Sequence, residues 1–221
     1  MIPNVYASSY ADDITTEVET LVEQGKLESW LFCGLRKGEV LALKFSDFNL
    51  KEKYVTINKQ LTNEYELEGS KFGIVNHQIV EKNPKTVNSF RTLRVPDIIL
   101  KELKKRKTVV AFKKEMCSAF ADQDYISCQD NGKPRALGSL NLYLIRLCSR
   151  NGIRKITFHG LRHMFATILI EQGVSLAKIS ALLGHSSIHT TFDFYCDVMD
   201  EKEKIMAYMN HTFAVSEVQN D

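Results

Sequence analysis

The chain has 221 residues, of which 44% are apolar and 25% charged, and its formal net charge is +2. That length is enough for one substantial domain with a real core. No apolar run approaches the roughly 18 to 20 residues of a membrane span, and the five cysteines are odd in number and lack CxxC spacing. These features argue against a membrane protein, a disulfide framework and a zinc knuckle, and they predict a reducing cytoplasm.

The charge is distributed unevenly along the chain. Residues 81–115 contain 11 Lys or Arg and 4 Asp or Glu, whereas residues 1–31 contain one Lys and six acids. Residues 193–221 contain two Lys and seven acids. A basic middle between acidic ends is compatible with a face that follows DNA phosphates, although a solvated helix over Lys101–Lys114 is an alternative explanation.

The N-terminal part of the chain predicts short helices. Residues 1–12 are irregular in pattern, with Pro3, Asn4 and paired serines. Apolar residues then fall on one helical face in three successive segments, Asp13–Glu23, Leu27–Phe32 and Gly38–Leu43.

The pattern changes after Leu43 and predicts strands. Tyr54–Ile57 and Phe72–Val80 are rich in β-branched and aromatic residues, and Phe90–Pro96 alternates. Turn signals separate these segments at Glu68–Ser70 and Asn83-Pro84. We expect a small antiparallel sheet of about three strands.

Helices return in the second half of the chain. The apolar spacing predicts them over Asp97–Lys107, Phe112–Ala121, Leu137–Arg150, Leu161–Gln172, Leu176–Leu183 and Glu201–Met209. Thr157 is a candidate cap of the fourth, and Ser187 of a short helix that leads to Tyr195. Gly173 and Gly184 are placed to end two of them. The whole pattern predicts a mainly helical α+β domain with a small sheet inserted between helices.

His159 and Arg162 are three residues apart, so they share a face near a helix N-terminus, where an anion is stabilised. A structural His–Arg pair is the alternative. His159 and His163 also have the spacing of a metalloprotease helix, but position 160 is glycine rather than the general-base glutamate, which disfavours zinc hydrolysis. Taken alone, His185 beyond a turn glycine and Tyr195 among aromatic neighbours are more typical of structural residues.

Taken in order, six residues resemble the catalytic domain of the tyrosine recombinases, especially the integrases of temperate phages and conjugative transposons. They are Arg36, Lys85, His159, Arg162, His185 and Tyr195. The resemblance covers roughly residues 15 to 200, and its matching stretches are Cys33–Lys44, Pro84–Thr86, Ser89–Thr92, His159–Thr167 and Leu182–Ile188, with Thr190-Thr191 ahead of Tyr195.

The resemblance implies a role for each residue. Tyr195 would attack a DNA phosphodiester with help from His159, since a phenol with a pKa near 10 is a poor nucleophile at neutral pH. Arg36, Arg162 and His185 would stabilise the charged transition state, and Lys85 would protonate the departing 5′-hydroxyl. Glu39 has the spacing to orient Arg36, or to form a surface salt bridge with Arg36 or Lys37.

The expected partner is double-stranded DNA at recombination (attachment) sites. The helix from residue 97 would supply contacts to the DNA backbone through Lys101, Lys104, Lys105, Arg106 and Lys107. We expect no cofactor and no metal, because two guanidiniums supply the charge that other nucleases take from metal ions. The resemblance also implies a homo-tetramer on DNA and a monomer in isolation, in the cytoplasm of a bacterium or encoded by a phage.

The domain interpretation is an irregular segment over residues 1–12, a catalytic domain over 13–200, and a C-terminal helix with an acidic tail over 201–221. That helix would dock on a neighbouring protomer or pack on its own domain. The chain has no room for the core-binding and arm-binding domains usual in the family. Two other functions stay open: a truncated, inactive remnant that only binds DNA, and DNA relaxation of the type IB topoisomerase kind.

Overall fold

The computed structural model describes residues 21, 34–67, 74–84 and 86–192. Five α-helices and five strands have defined bounds in these ranges. In chain order they are α1 (Lys37–Ala42), β1 (Phe48–Asn49), β2 (Tyr54–Ile57), β3 (Gln60–Leu67), β4 (Ile74–Lys82), β5 (Arg91–Arg94), α2 (Asp97–Met116), α3 (Ser139–Asn151), α4 (Phe158–Glu171) and α5 (Leu176–Leu183). Residues 188–192 are also helical. The predicted α+β class is confirmed.

The three-stranded antiparallel sheet has the order β1-β2-β5. Phe48 pairs with Val55, and Val55 pairs with Leu93 on the other side. The side chains of β2 alternate between half-buried and buried, so Val55 and Ile57 enter the core. This sheet places β5 beside β2, with β1 on the far side of β2.

All three predicted strands are present, as β2, β4 and β5, but the pairing of β4 differs from the expectation. β4 pairs with β3 in a separate two-stranded antiparallel sheet, rather than joining β2 and β5. The sequence analysis missed β3 because Gln60–Leu67 is rich in Gln, Asn and Glu, which have weak strand propensity. Hydrogen bonding with β4 along the whole of β3 stabilises this strand in spite of its weak local propensity.

The main core forms around α1. Val40, Leu41 and Ala42 are fully buried, together with Ile57 of β2 and Ile126 in the loop after α2. A second cluster joins α4 to α5 through Ala166, Ile170, Ile179 and Leu183. The two clusters fix α1, α4 and α5 relative to their neighbours.

One continuous helix, α2, replaces the two helices predicted over Asp97–Lys107 and Phe112–Ala121. The segment Thr108–Ala111 contains neither Gly nor Pro, so nothing interrupts the backbone hydrogen bonds between the two halves. The helix ends at Met116, and residues 117–121 are not helical. The prediction was therefore wrong in dividing this helix and in extending it.

The predicted ends of α4 and α5 are confirmed. Thr157 Oγ1 accepts a hydrogen bond from the backbone N–H of Gly160 at 3.0 Å, which caps α4. Gly184 ends α5 in the left-handed conformation, with φ of +68°. Ser187 Oγ accepts from the N–H of His189 at 3.2 Å, at the start of helical residues 188–192.

Three predicted helices fall on residues that the structure does not describe: Asp13–Glu23, of which only the buried Leu21 is described, Leu27–Phe32 and Glu201–Met209. Among the helices of the described ranges, none combines the length and apolar character needed to cross a bilayer.

The central position of α1 makes Leu41 a sensitive probe of the fold. We expect Leu41→Ala to lower the free energy of unfolding by about 3 kcal/mol, because the fully buried side chain leaves a cavity. The exposed Leu50→Ala is the control, with a change of less than about 0.5 kcal/mol. Urea denaturation followed by circular dichroism measures both, and equal losses would contradict the assigned core.

Candidate active site

Four of the six predicted site residues line one cleft of about 640 Å³. They are Arg36, His159, Arg162 and His185. Arg36 immediately precedes α1, His159 and Arg162 lie in the first turns of α4, and His185 follows α5. The fold thus brings side chains from three separate parts of the chain together around one cleft.

Lys85 and Tyr195 lie outside the described residues, so their predicted roles stay predictions. Two described residues near them in the sequence have contacts in this region. Thr86, which follows Lys85, has its hydroxyl 2.9 Å from Ser89 Oγ. Thr190, five residues before Tyr195, lines the cleft.

The Arg36 guanidinium is held on one side and open on the other. Its Nη1 donates to Glu39 Oε1 at 2.9 Å, and its Nη2 donates to the carbonyl of Gly184 at 2.5 Å. The Arg36 side chain nevertheless keeps 35% of its surface exposed. This geometry fixes the direction of the guanidinium while leaving it accessible to an anion in the cleft.

Glu39 contacts Arg36 at both its side chain and its backbone. Its carboxylate also accepts from the Arg36 backbone N–H at 2.8 Å. Glu39 is only 2% exposed, which excludes the surface salt bridge considered as an alternative. Burial alone would raise the pKa of this carboxyl, but hydrogen bonds and charge from Arg91, followed by Arg36, lower the pKa below its ordinary value.

Arg162 is buried and tied to two backbone carbonyls. Its Nη1 donates to Gly34 at 2.6 Å and its Nη2 to Leu183 at 2.8 Å. Burial, followed by the positive charge of Arg36, lowers the pKa of Arg162 below its ordinary value, and Glu39 opposes this shift. A bound anion would relieve the repulsion between the two guanidiniums, so the cleft is suited to a phosphate.

The histidines of the site favour the neutral form. Burial and the charge of Arg162 lower the pKa of His159. Its ring meets that of His163 edge-on, with the centroids 4.2 Å apart, and burial followed by the charge of His159 lowers the pKa of His163 to about 4. A neutral imidazole at position 159 is able to accept a proton at neutral pH.

His185 is buried beside the cleft and held by Thr191. Its Nδ1 lies 2.8 Å from Thr191 Oγ1. Burial lowers the pKa of His185 to about 4, and the charges of Arg162 and Arg36 add to the effect. A neutral His185 whose Nδ1 accepts from the Thr191 hydroxyl carries its proton on Nε2, which makes that nitrogen a hydrogen-bond donor.

Sequence reasoning assigned no role to Arg91 or Ser89. Arg91 forms a two-point ion pair with Glu39, with distances of 3.0 and 2.9 Å, and Ser89 Oγ accepts from Arg36 Nη1 at 3.4 Å. A signal was present, because Glu39 stands before the apolar run Val40–Leu43 and a buried acid requires a buried cation. Arg91, on the same face of β5 as Leu93, supplies it.

The five predicted DNA-backbone residues all lie on α2, and four of them are exposed: Lys101, Lys104, Lys105 and Lys107. Arg106 differs, because it is half-buried and its Nε donates to the carbonyl of Ile126 at 2.8 Å. That bond anchors α2 to the loop that follows it. The four lysines remain available to solvent.

The sequence of this chain matches a model of the phage integrase family over residues 11–202. A XerC-like tyrosine recombinase of Caldanaerobacter subterraneus subsp. tengcongensis is 28% identical over 174 residues, which cover 77% of this chain and 44% of that protein. The ICEBs1 integrase of Bacillus subtilis is 29% identical, with coverage of 79% and 44%. The chain therefore spans about half the length of the curated relatives it matches.

Solved structures show the same fold. The integrase of transposon Tn1549, in complex with transposon right-end DNA, superposes with a TM-score of 0.58 at 22% identity, covering 80% of this chain and 56% of that one. XerA recombinase superposes with a TM-score of 0.54 at 22% identity, with coverage of 76% and 48%.

Gly184 tests how tightly the site is packed. A Cβ at this position would lie 2.8 Å from Arg91 Nη1 and 3.0 Å from the carbonyl of Asn88. We expect Gly184→Ala to lower the free energy of unfolding by at least about 1 kcal/mol more than Gly173→Ala, as strain and overpacking combine.

Gly173 is a matched control, since its φ of +74° carries the same backbone strain with open space around the Cβ. Urea denaturation of the two variants gives the comparison. Equal losses would mean that Arg91 and Asn88 do not confine this turn.

Proposed function

This chain belongs to the phage integrase family of tyrosine recombinases, and we propose that it cleaves and rejoins DNA strands at specific sites through a 3′-phosphotyrosyl intermediate. The observation that carries the proposal is the single cleft lined by Arg36, His159, Arg162 and His185. Relatives named integrase and transposase support the integration or excision of a mobile element as the biological reaction.

Tyr195 is the proposed nucleophile. Its phenol oxygen attacks the scissile phosphorus, a P–O bond forms to the tyrosine, and the bond to the 5′-oxygen of the next nucleotide breaks. His159 assists removal of the phenolic proton, which its lowered pKa favours by keeping the imidazole neutral. The position of Thr190 on the cleft wall, five residues before Tyr195, supports this assignment.

Arg36 and Arg162 are the proposed clamp for the transition state. The pentacoordinate phosphorane carries extra negative charge on its nonbridging oxygens, and two guanidiniums stabilise it by charge-assisted hydrogen bonds. His185 adds a donor through Nε2, with its orientation fixed by Thr191. Because Arg36 is fixed by Glu39 and Gly184, it needs little reorganisation when the charge develops.

Lys85 is the proposed acid that protonates the departing 5′-hydroxyl. The turn of residues 87–89 that follows it is tied to the site by hydrogen bonds. Ser89 Oγ accepts from Arg36 at 3.4 Å, and Asn88 Nδ2 donates to the carbonyl of His185 at 3.2 Å. These contacts hold residues 88 and 89 beside the clamp, which supports the assignment of Lys85.

The phosphotyrosyl bond conserves the energy of the broken strand, so rejoining requires no nucleotide cofactor. Attack by a 5′-hydroxyl from a partner duplex gives exchange, and attack by the original one restores the substrate. The proposed partner is double-stranded DNA at attachment sites, contacted by Lys101, Lys104, Lys105 and Lys107 through its backbone. Strand exchange requires a homo-tetramer on DNA, formed from monomers, and the bacterial and phage relatives support the bacterial cytoplasm as the place of action.

We expect Tyr195→Phe to abolish covalent adducts with DNA, because the nucleophilic oxygen is missing. The measurement uses nicked suicide duplexes that tile the DNA on either side of the protein's own gene, followed by denaturing gel electrophoresis. Tyr143→Phe, on the exposed face of α3, is the control and should form adducts normally. Adducts that survive Tyr195→Phe, or that disappear in excess chelator, would contradict the mechanism.

We expect Arg36→Ala to slow adduct formation by a factor of about 10² to 10³ while changing DNA affinity less than about tenfold, since its contacts strengthen in the transition state. Arg94→Ala is the matched control, because Arg94 is an exposed arginine that donates to the carbonyl of Glu52. Gel shift and single-turnover kinetics separate binding from cleavage. Equal rates for the two variants would reject the clamp.

A further inference from the structure

Arg91 is buried, and neither it nor any of its hydrogen-bond partners lines the cleft. Its side chain is 6% exposed. Nε donates to the carbonyl of Leu182 at 2.7 Å, Nη1 to Glu39 Oε1 at 3.0 Å and to the carbonyl of Ser89 at 3.1 Å, and Nη2 to Glu39 Oε2 at 2.9 Å. A guanidinium in this arrangement does not reach a phosphate bound beside Arg36.

The contacts of Arg91 join three parts of the site. Glu39 lies on α1 and orients Arg36, and Leu182 lies in the last turn of α5, before the turn that carries His185. Ser89 accepts from both arginines, through its carbonyl from Arg91 and through its hydroxyl from Arg36.

The orientation of Arg36 depends on the position of one carboxylate. Both oxygens of Glu39 are shared, since Oε1 accepts from the side chains of Arg36 and Arg91, and Oε2 accepts from Arg91 and from the Arg36 backbone. Removal of Arg91 leaves a buried carboxylate with half its partners and free to rotate toward Arg36. A guanidinium that follows that rotation no longer points into the cleft, and phosphate clamping tolerates only small displacements.

We propose that Arg91 is a positioning residue for the strand-cleavage reaction: through Glu39 it holds Arg36 in the orientation that meets the scissile phosphate, without touching the DNA itself. The inference rests on the proposed function. It goes beyond the six residues of the family resemblance by assigning to a buried strand residue an effect that is transmitted through Arg36.

The test compares two substrates in the full chain. The first is the nicked suicide duplex with its ordinary scissile phosphodiester, and the second carries a methylphosphonate at the same position. Replacing a nonbridging oxygen by a methyl group removes the negative charge that Arg36 is proposed to stabilise. A defect transmitted through Arg36 therefore shrinks on the neutral substrate, whereas a loss of folded protein lowers both rates by the same factor.

We expect Arg91→Met to slow adduct formation on the phosphodiester by about 30- to 100-fold and on the methylphosphonate by less than about threefold, matching the pattern of Arg36→Ala. Arg94→Met, which removes an exposed guanidinium from the same strand, is the control and should leave both rates unchanged within about twofold. If Arg91→Met does not fold, Arg91→Lys is tested in its place, because lysine keeps the positive charge but cannot form the two-point pairing with Glu39. We expect Arg91→Lys to slow adduct formation less than Arg91→Met, and again only on the phosphodiester.

Equal slowing of the two substrates by Arg91→Met or Arg91→Lys would overturn the inference and leave a purely structural role. So would a wild-type rate in both variants. Failure of the proposed function has a different signature, because the unaltered chain would then form no adduct with any duplex of the tiled set.

Discussion

The site depends on one buried carboxylate between two guanidiniums. Glu39 is almost fully buried, and it is stable there as an anion because Arg36 and Arg91 supply its hydrogen bonds and its counter-charge. Removing one partner of a buried ion pair typically costs about 3 to 5 kcal/mol, far more than a surface pair contributes. The two arginines differ in exposure: the side chain of Arg91 is buried, whereas that of Arg36 is partly exposed and lines the cleft. Positive charge is thereby presented where an anionic phosphate would bind.

The neutral histidines complement this charge. Two guanidiniums at the cleft disfavour further protonation nearby, and burial acts in the same sense on His159, His163 and His185. Neutral imidazoles thus coexist with fixed cations at neutral pH. The fold produces this division by placing the arginines against carboxylate and carbonyl oxygens, and His185 against a threonine hydroxyl.

The sequence predicted the helices that carry the site better than the contacts that organise it. Thr157, Gly173 and Gly184 mark helix ends through local chemistry, and those signals are readable without a fold. The sequence does not predict β3, because the stability of this strand comes from pairing with β4. It predicts two helices in place of α2, because the helix is mostly exposed and its apolar residues do not keep a regular helical spacing throughout. The sequence does not reveal the contacts of Arg91, because residues 39, 91 and 182 come together only in the folded structure.

The guanidinium anchors of this site share a further property: several of them end on backbone carbonyls. Arg36 donates to the carbonyl of Gly184, Arg162 to those of Gly34 and Leu183, and Arg91 to that of Leu182. The bonds to Gly184, Gly34 and Leu182 join residues that are 91 to 148 positions apart in the sequence. A backbone carbonyl is present whatever side chain its residue bears. These contacts form, however, only after both of the distant chain segments have been synthesised and packed together. A nascent or truncated chain that lacks α5 and Gly184 keeps the pairing with Glu39 but loses the carbonyl partners at Leu182, Leu183 and Gly184. The cleft would then take its final shape only when α5 has packed against α1, β5 and α4.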